Sequence, residues 1–151
     1  MNDIVVREGT EDDLPAALEL IRELAVYEKA PDEVICTVES MREDGFGPHP
    51  VFGFYVAEEN ERVLGLALHY TKYSTWKGKC LFLEDIIVKE SERRRGIGKL
   101  LFDRIVELAE ERGVKRLEWQ VLDWNTPAIE FYKKYDTIFE PEWLNGKLIW
   151  D

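Results

Sequence analysis

Apolar residues recur along this chain with a period that switches between two and three to four, and each switch marks a change of element. Residues 4–7 read as a short strand. Thr10-Glu11-Asp12-Asp13 has the spacing of a capping box, and behind it Leu14, Leu18, Ile21 and Ala25 share one helical face, with Pro15 blurring the exact start. A second helix is predicted over about residues 38–44, and the dense Gly and Pro of residues 45–50 predict a loop. Residues 51–57 and 62–71 predict a strand pair around a polar turn at residues 58–61. Residues 81–88 make the third long strand. A helix follows over about residues 99–112, with Ile97, Leu101, Ile105 and Leu108 at helical spacing and Gly113 as its C-terminal cap. Residues 116–122 read as a strand. Thr126-Pro127 is a capping residue followed by proline at the first helical position, which predicts a short helix to about Tyr135. Phe139 and residues 147–150 predict a closing hairpin.

An antiparallel-looking first half joined to strand, helix, strand, helix in the second predicts one α+β (mixed α/β) domain over residues 1–151, its central mixed sheet carrying helices on both faces. A length of 151 residues with 45% hydrophobic content suffices for a real core. No apolar run approaches the roughly 20 residues that span a bilayer, and the chain opens without a basic and then apolar leader, so a soluble, cytoplasmic protein without a membrane partner is expected. Cys36 and Cys80 lack a CxxC or a nearby His partner, and with only His49 and His69 besides, reduced packed thiols and no metal are expected.

Charge alters this picture more than the cysteines do. Residues 1–61 hold 16 Asp and Glu against 4 Lys and Arg, net −12, whereas residues 62–151 hold 15 against 16, net +1. An acidic region repels nucleic acid and attracts a cation, and a neutral region with a local basic cluster can hold phosphates. Ordinary solubility explains the same numbers.

That basic cluster is Arg93-Arg94-Arg95-Gly96-Ile97-Gly98, set between the third strand and its helix. Arg-x-x-Gly-x-Gly at a helix start bares backbone N–H groups at the positive end of the helix dipole, which suits a pyrophosphate; a tight turn with a solvated basic run fits the pattern equally. Leu101 excludes a dinucleotide fingerprint, and Arg93 with Leu100 excludes a P-loop. Six of the eight residues in 81–88 are apolar, yet Glu84 and Asp85 interrupt them side by side. Successive strand residues point to opposite faces, so the two are expected to have different jobs, in a cleft or in a structural salt bridge. Tyr132 lies on an aromatic stripe with Ala128, Phe131 and Tyr135 that reads as core, and Trp76, Trp119 and Trp124 read as packing.

In order along the chain, Leu83-Glu84-Asp85-Ile86-Ile87-Val88, Arg93-x-x-Gly96-x-Gly98 and Trp124-Asn125-x-Pro127-Ala128-Ile129-Glu130-Phe131-Tyr132 resemble the successive motifs of the GNAT superfamily of acetyl-CoA-dependent N-acetyltransferases. Tyr27-Glu28, Glu43-Asp44-Gly45-Phe46-Gly47-x-His49-Pro50 and Tyr73-x-x-Trp76-x-Gly78-Lys79 are similar to its spermidine/spermine and thialysine acetyltransferase branch. The resemblance implies a GNAT-like sheet of about six or seven strands, splayed in the middle around acetyl-CoA. It places the cofactor at Ile86, Ile87 and Val88, along Arg93, Arg94, Arg95, Gly96, Ile97, Gly98 and Lys99, and at Asn125, Thr126, Pro127 and Ala128. Tyr132 and Glu84 would be catalytic, as proton donor and base, without a metal. Tyr27, Glu28, Trp76, Glu84, Asp85, Glu118, Trp119 and Gln120 would face a small amine substrate, and a homodimer is implied. A peptide or protein N-acetyltransferase and a non-catalytic acyl-CoA sensor are the competing readings. Asp136 stands where Gly is usual, and Ser74-Thr75 stands where the polyamine enzymes carry an acidic residue, which tilts the expectation toward a shorter amine.

Overall fold

The computed structural model describes residues 3–151. The chain divides into two compact units, the larger ending at Trp119 and the smaller running from Gln120 to Asp151.

The larger unit contains β1 (Val5–Glu8), α1 (Leu14–Tyr27), α2 (Val38–Phe46), β2 (Gly53–Glu59), β3 (Arg62–Ser74), β4 (Gly78–Val88), α3 (Ile97–Arg112) and β5 (Leu117–Trp119). Its sheet runs in the order β1-β2-β3-β4-β5. Neighbours are antiparallel up to β4, and β5 joins parallel after the α3 crossover. Phe54, Tyr55, Val56 and Ala57 are all buried, so β2 is covered on both faces. Leu14, Ala17, Leu18 and Leu20 of α1 pack with Phe54, Val56, Leu66 and Ile87 on one face. Helix α3 covers the other with Ile97, Leu101, Phe102 and Ile105. Its approach is close: a Cβ on Gly65 would lie 2.9 Å from Leu101 Cδ1 and 3.2 Å from Ile97 Cγ2.

Local signals account for the element ends. The Thr10 N–H donates to Asp13 Oδ2 at 2.8 Å, and the capping box opens a single 3-10 turn, from which α1 starts with Pro15 where no helical donor is needed. The Arg7 guanidinium donates to both Asp13 oxygens, at 2.8 and 3.0 Å, and to Glu58 at 2.9 Å, fastening the start of α1 to β1 and β2. Asn60 and Glu61, both with positive φ, make the tight two-residue β2–β3 turn.

Several expectations need correction. Among the described residues the sheet has five strands rather than six or seven. The predicted fifth strand keeps only Leu117–Trp119, because its pairing stops opposite Leu83, where β4 changes register. The closing hairpin is absent: residues 139 and 147–150 carry no strand structure, and Leu148 and Trp150 are exposed. A lone hairpin that buries no apolar face is unstable in water, and Pro141 and Gly146 interrupt this one. Gly45 lies inside α2 rather than in a loop, and Cys36 is exposed rather than packed. In the smaller unit α4 (Thr126–Tyr132) is capped by Asn125, whose side chain accepts from the Ala128 N–H at 3.4 Å, so Thr126 is the first helical residue and not the cap. Asp136 takes the left-handed conformation its position was expected to require, at φ 50°. Among the described residues no helix is long and apolar enough to cross a membrane.

His69 is buried on the α3 face against Tyr55, ring centroids 5.7 Å apart, and its Nδ1 lacks a hydrogen-bond partner. Burial, aided by the Arg112 charge, pushes its pKa down to about 4. A histidine with a depressed pKa destabilises the fold as pH falls from its unfolded value of about 6.5 toward 4, by on the order of 3 kcal/mol in full. Denaturant titrations across that window should therefore show a steeper loss of stability in the wild type than in His69→Leu, whatever the absolute stability of the variant.

Candidate active site

The site begins with one surplus residue. Leu68 of β3 pairs with Asp85, and the next residue, His69, pairs with Leu83, so Glu84 is the extra residue of a β-bulge. Ile87 belongs to the α1-side core, which by alternation puts Asp85 on that face. Leu83 pairs with Trp119, whose ring meets Phe102 of α3 edge-on at 5.3 Å, so Leu83 faces α3 and Glu84 faces the α1 side. The bulge thus brings Glu84 and Asp85 to the same face, contrary to the expectation from simple alternation. It also opens the sheet: β5 covers β4 only at Leu81–Leu83, and beyond the bulge the sheet holds β4 on its β3 side alone.

Glu28, the residue that ends α1, completes an acidic group. Burial raises its carboxyl pKa. Asp85 is pushed to about 7, first by burial and then by the charges of Glu84 and Glu28. Among the described residues no hydrogen bond or ion pair joins any of these three carboxylates to a cation. Glu84 is exposed and Glu28 and Asp85 are half-buried, and like charges this close repel one another, so the group is arranged to receive a positive charge, with Asp85 holding a proton near neutral pH. Tyr70 and Phe82 stand on the same face, ring centroids 5.0 Å apart, and Glu84 helps raise the Tyr70 pKa after burial. Sequence reading missed both aromatics. Their only signal is a position two residues from Glu84 or paired with that position across β3, which becomes visible once the bulge sets the register.

Beyond β4 the chain makes a 3-10 turn and then the arginine and glycine turn into α3. Arg94 and Gly96 both have positive φ, 69° and 78°. The arginine conformation is costly for a side chain bearing a Cβ, and such strain concentrates at ligand clamps. A Cβ on Gly98 would meet only Val88 Cγ2, at 3.7 Å, so packing does not demand glycine there. The first N–H groups of α3 have no acceptor within the helix, and an open glycine surface over them admits a phosphate closely. The four basic side chains differ in their engagement. Arg95 donates to Glu59 at 2.6 and 3.1 Å and to Glu92 at 2.6 Å, and so braces the turn against the β2–β3 hairpin. Lys99 pairs with Asp103 at 2.7 Å. Arg93 lies over the Tyr27 ring, 5.3 Å from its centroid, while Arg94 is exposed. Glu23 of α1 accepts from the Glu90 N–H at 2.8 Å, a second tie between α1 and this turn.

The remaining candidates are dispersed. Glu118 is on the Glu84 face, bonded to Lys72 at 3.1 Å, whereas Trp119 packs on α3 on the opposite face. Trp76 is exposed at the β3–β4 tip, where Ser74 Oγ accepts from the Trp76 and Lys77 N–H groups at 3.1 Å each. Strand rise puts that tip roughly 20 Å from Glu84, outside the acidic group. In the smaller unit Gln120 donates to Asn145 at 3.0 Å. Tyr132 is buried near the Phe131 ring at 5.3 Å, and its carbonyl accepts from the Thr137 hydroxyl at 2.5 Å.

Because Asp85 holds its proton more tightly folded than unfolded, ionising it costs stability that is absent below about pH 4 and complete above about pH 7. Asp85→Asn should stabilise the protein at pH 8 by about 2–4 kcal/mol and leave it unchanged at pH 4. Thermal denaturation at the two pH values measures the difference.

Known proteins are similar to this chain in sequence and in fold. Thialysine N-epsilon-acetyltransferase of Bos taurus is 42% identical over 138 residues, covering 86% of this chain and 81% of that protein. A human spermidine/spermine N(1)-acetyltransferase-like protein 1 is 32% identical over 134 residues, 84% of this chain and 19% of that much longer protein. Among solved structures, a possible acetyltransferase from Clostridium difficile superposes with a TM-score of 0.82 at 18% identity, covering 97% of this chain and 98% of that one. An aminoglycoside N-acetyltransferase in complex with CoA superposes with a TM-score of 0.77 at 16% identity, covering 98% and 96%. Residues 15–136 match the Acetyltransferase (GNAT) family, a span that takes in α1, the bulged strand, the glycine turn and α4, so the chain belongs to that family and is an N-acetyltransferase.

Proposed function

We propose that the protein transfers the acetyl group of acetyl-CoA directly to the primary amine of a small cationic substrate, a thialysine-like amino acid, a diamine or a polyamine, within a ternary complex. One observation carries the reading: Glu28, Glu84 and Asp85 converge without a cationic partner beside the stretch of β4 that β5 leaves uncovered. The names of the cattle and human relatives point to the same substrate classes.

An aliphatic ammonium has a pKa near 10.4, so at pH 7 roughly one molecule in a thousand is nucleophilic, a barrier term of about 4 kcal/mol. The acidic group answers both requirements. Glu28, Glu84 and Asp85 attract the ammonium, and Glu84, next to a carboxyl already near neutral pKa, accepts its proton directly or through water. Acetyl-CoA, when bound, supplies the thioester carbonyl that the amine attacks. Ile86, Ile87 and Val88 would hold it through their backbone groups, with N–H donors polarising that carbonyl. Arg93, Arg94, Gly96, Ile97, Gly98 and Lys99 would hold its pyrophosphate, with Arg95 bracing the turn, and Asn125, Thr126, Pro127 and Ala128 would flank it. Tyr132 would give its hydroxyl proton to the departing thiolate, and Tyr27 would line the amine side. Asp136 adopts the left-handed geometry of the residue it replaces, so it leaves the end of the Tyr132 helix intact.

The test is CoA release from acetyl-CoA with thialysine, lysine, spermidine, diamines and peptides. Glu84→Gln should lose kcat/KM most near neutral pH and regain part of it at high pH, where free amine is abundant, and Tyr132→Phe should lower kcat about 100-fold or more with cofactor binding kept. Turnover on peptide N-termini alone would favour the peptide acetyltransferase reading, and cofactor binding without turnover on any amine the sensor. A pH–rate profile of Glu84→Gln that tracks the wild type throughout excludes Glu84 as the base.

The working unit is a homodimer in this proposal. Within the smaller unit Trp143, Leu144, Leu148, Ile149 and Trp150 are all exposed, an apolar run that soluble monomers rarely leave open, and most soluble oligomers are two-fold symmetric. Light scattering should give twice the chain mass of 17.7 kDa at assay concentration; the chain mass itself would rule the dimer out.

A further inference from the structure

Two residues along β4 from Glu84, on the same face, a cation is already seated. Lys72 Nζ lies 5.3 Å from the centroid of the Phe82 ring and 3.1 Å from Glu118 Oε1. Phe82 pairs with Glu118 on one side and with Tyr70 on the other, so one row across β3, β4 and β5 presents two aromatic faces and a carboxylate. An aromatic face and a carboxylate are what an alkylammonium binds best. Glu118 has capacity left over. Its buried Oε2 accepts no hydrogen bond of ordinary geometry and has only a long ion pair with Arg116, at 3.9 Å, and the Cys80 thiol beside it. The Tyr70 hydroxyl feels the charges of Glu84, Lys72 and Glu118 together, so the two ends of the face form one electrostatic neighbourhood. Phe82 and Glu84 stand two positions apart along the strand, roughly 7 Å, which a spacer of a few methylene groups bridges.

Resting on the acetyl-transfer reading above, we infer that Lys72 sets the substrate length and charge of this enzyme: its ammonium occupies the Phe82–Glu118 seat that the second ammonium of a diamine or polyamine would take. A diamine with its acceptor nitrogen at Glu84 meets Lys72 where its other nitrogen must go. It then either displaces a cation already paired or stands beside one of like charge. A thialysine-like amino acid avoids the conflict, because its far end carries an ammonium and a carboxylate and has no net charge. Lys72 is absent from every motif that carried the family resemblance, although it stands on β3 immediately before the Tyr73 motif.

The test compares kcat/KM for spermidine and for thialysine in the wild type, Lys72→Met and Lys72→Arg. Methionine keeps the apolar stem on Phe82 and removes the charge; arginine keeps the charge. The spermidine-to-thialysine ratio should rise on the order of tenfold in Lys72→Met, the size of one like-charge repulsion at a protein surface, and stay near the wild-type value in Lys72→Arg. Glu118→Gln in the Lys72→Met background should reverse the gain. An unchanged ratio in Lys72→Met overturns the inference, as does a wild type that already prefers spermidine, and Lys72 is then an ordinary cross-strand surface pair. If no amine supports CoA release in any variant, the acetyl-transfer reading fails by itself. Calorimetry of spermidine binding still decides Lys72 in that case: tighter binding to Lys72→Met than to the wild type upholds the seat, and equal binding removes it.

Discussion

Between Leu83 and Asp85 the strand β4 has one residue more than β3 can oppose, and the surplus, Glu84, bends the strand and ends its pairing with β5. Two consequences follow from that mismatch. The backbone beyond the bulge loses its sheet neighbour on the β5 side, which leaves hydrogen-bonding groups for a ligand to meet. Glu84 and Asp85 reach the same face, where Glu28 arrives from the end of α1 and the Asp85 proton is held near neutral pH. A regular strand would have turned Glu84 toward α3, into an apolar layer that could not accept it.

The acidic group is electrostatically costly, and the surrounding packing offsets that cost. Leu14, Leu18, Val56 and Leu66 are almost wholly buried beneath α1, and Arg7 fastens the start of the same helix to Asp13 and Glu58. A helix held at its N-terminal end delivers Tyr27 and Glu28 at its C-terminal end without freedom to swing away from like charges. Helix α1 also touches the glycine turn, through Glu23 on the Glu90 N–H and through Tyr27 under Arg93. The residues assigned to the amine and those assigned to the pyrophosphate therefore share one rigid support.

Within the turn, charge alone does not identify the phosphate ligands. Arg95 is committed to Glu59 and Glu92, and Lys99 to Asp103, so two of the basic residues serve the fold first. Backbone geometry is the better guide. A Cβ on Gly98 would make only an ordinary contact with Val88 Cγ2, so packing does not require glycine there, and Arg94 holds a left-handed conformation of the kind that concentrates at ligand clamps.

Much of this was legible in the chain. The capping box at Thr10, the glycine that ends α3, the Thr-Pro signal near the start of α4, read one residue late at the cap, and the apolar periods of α1 and α3 are local signals, because hydrogen bonds and burial within a few residues decide them. The Arg-x-x-Gly-x-Gly turn is legible for the same reason. Strand pairing is not. Where β5 stops, whether residues 147–150 find a partner, and on which face Glu84 lies depend on register between segments distant in sequence, and one surplus residue reverses every side chain on one side of it. Tyr70, Phe82 and Lys72 carry no motif, and only the tertiary structure, by laying β3 and β5 on either side of β4, put them on one face with the acidic residues.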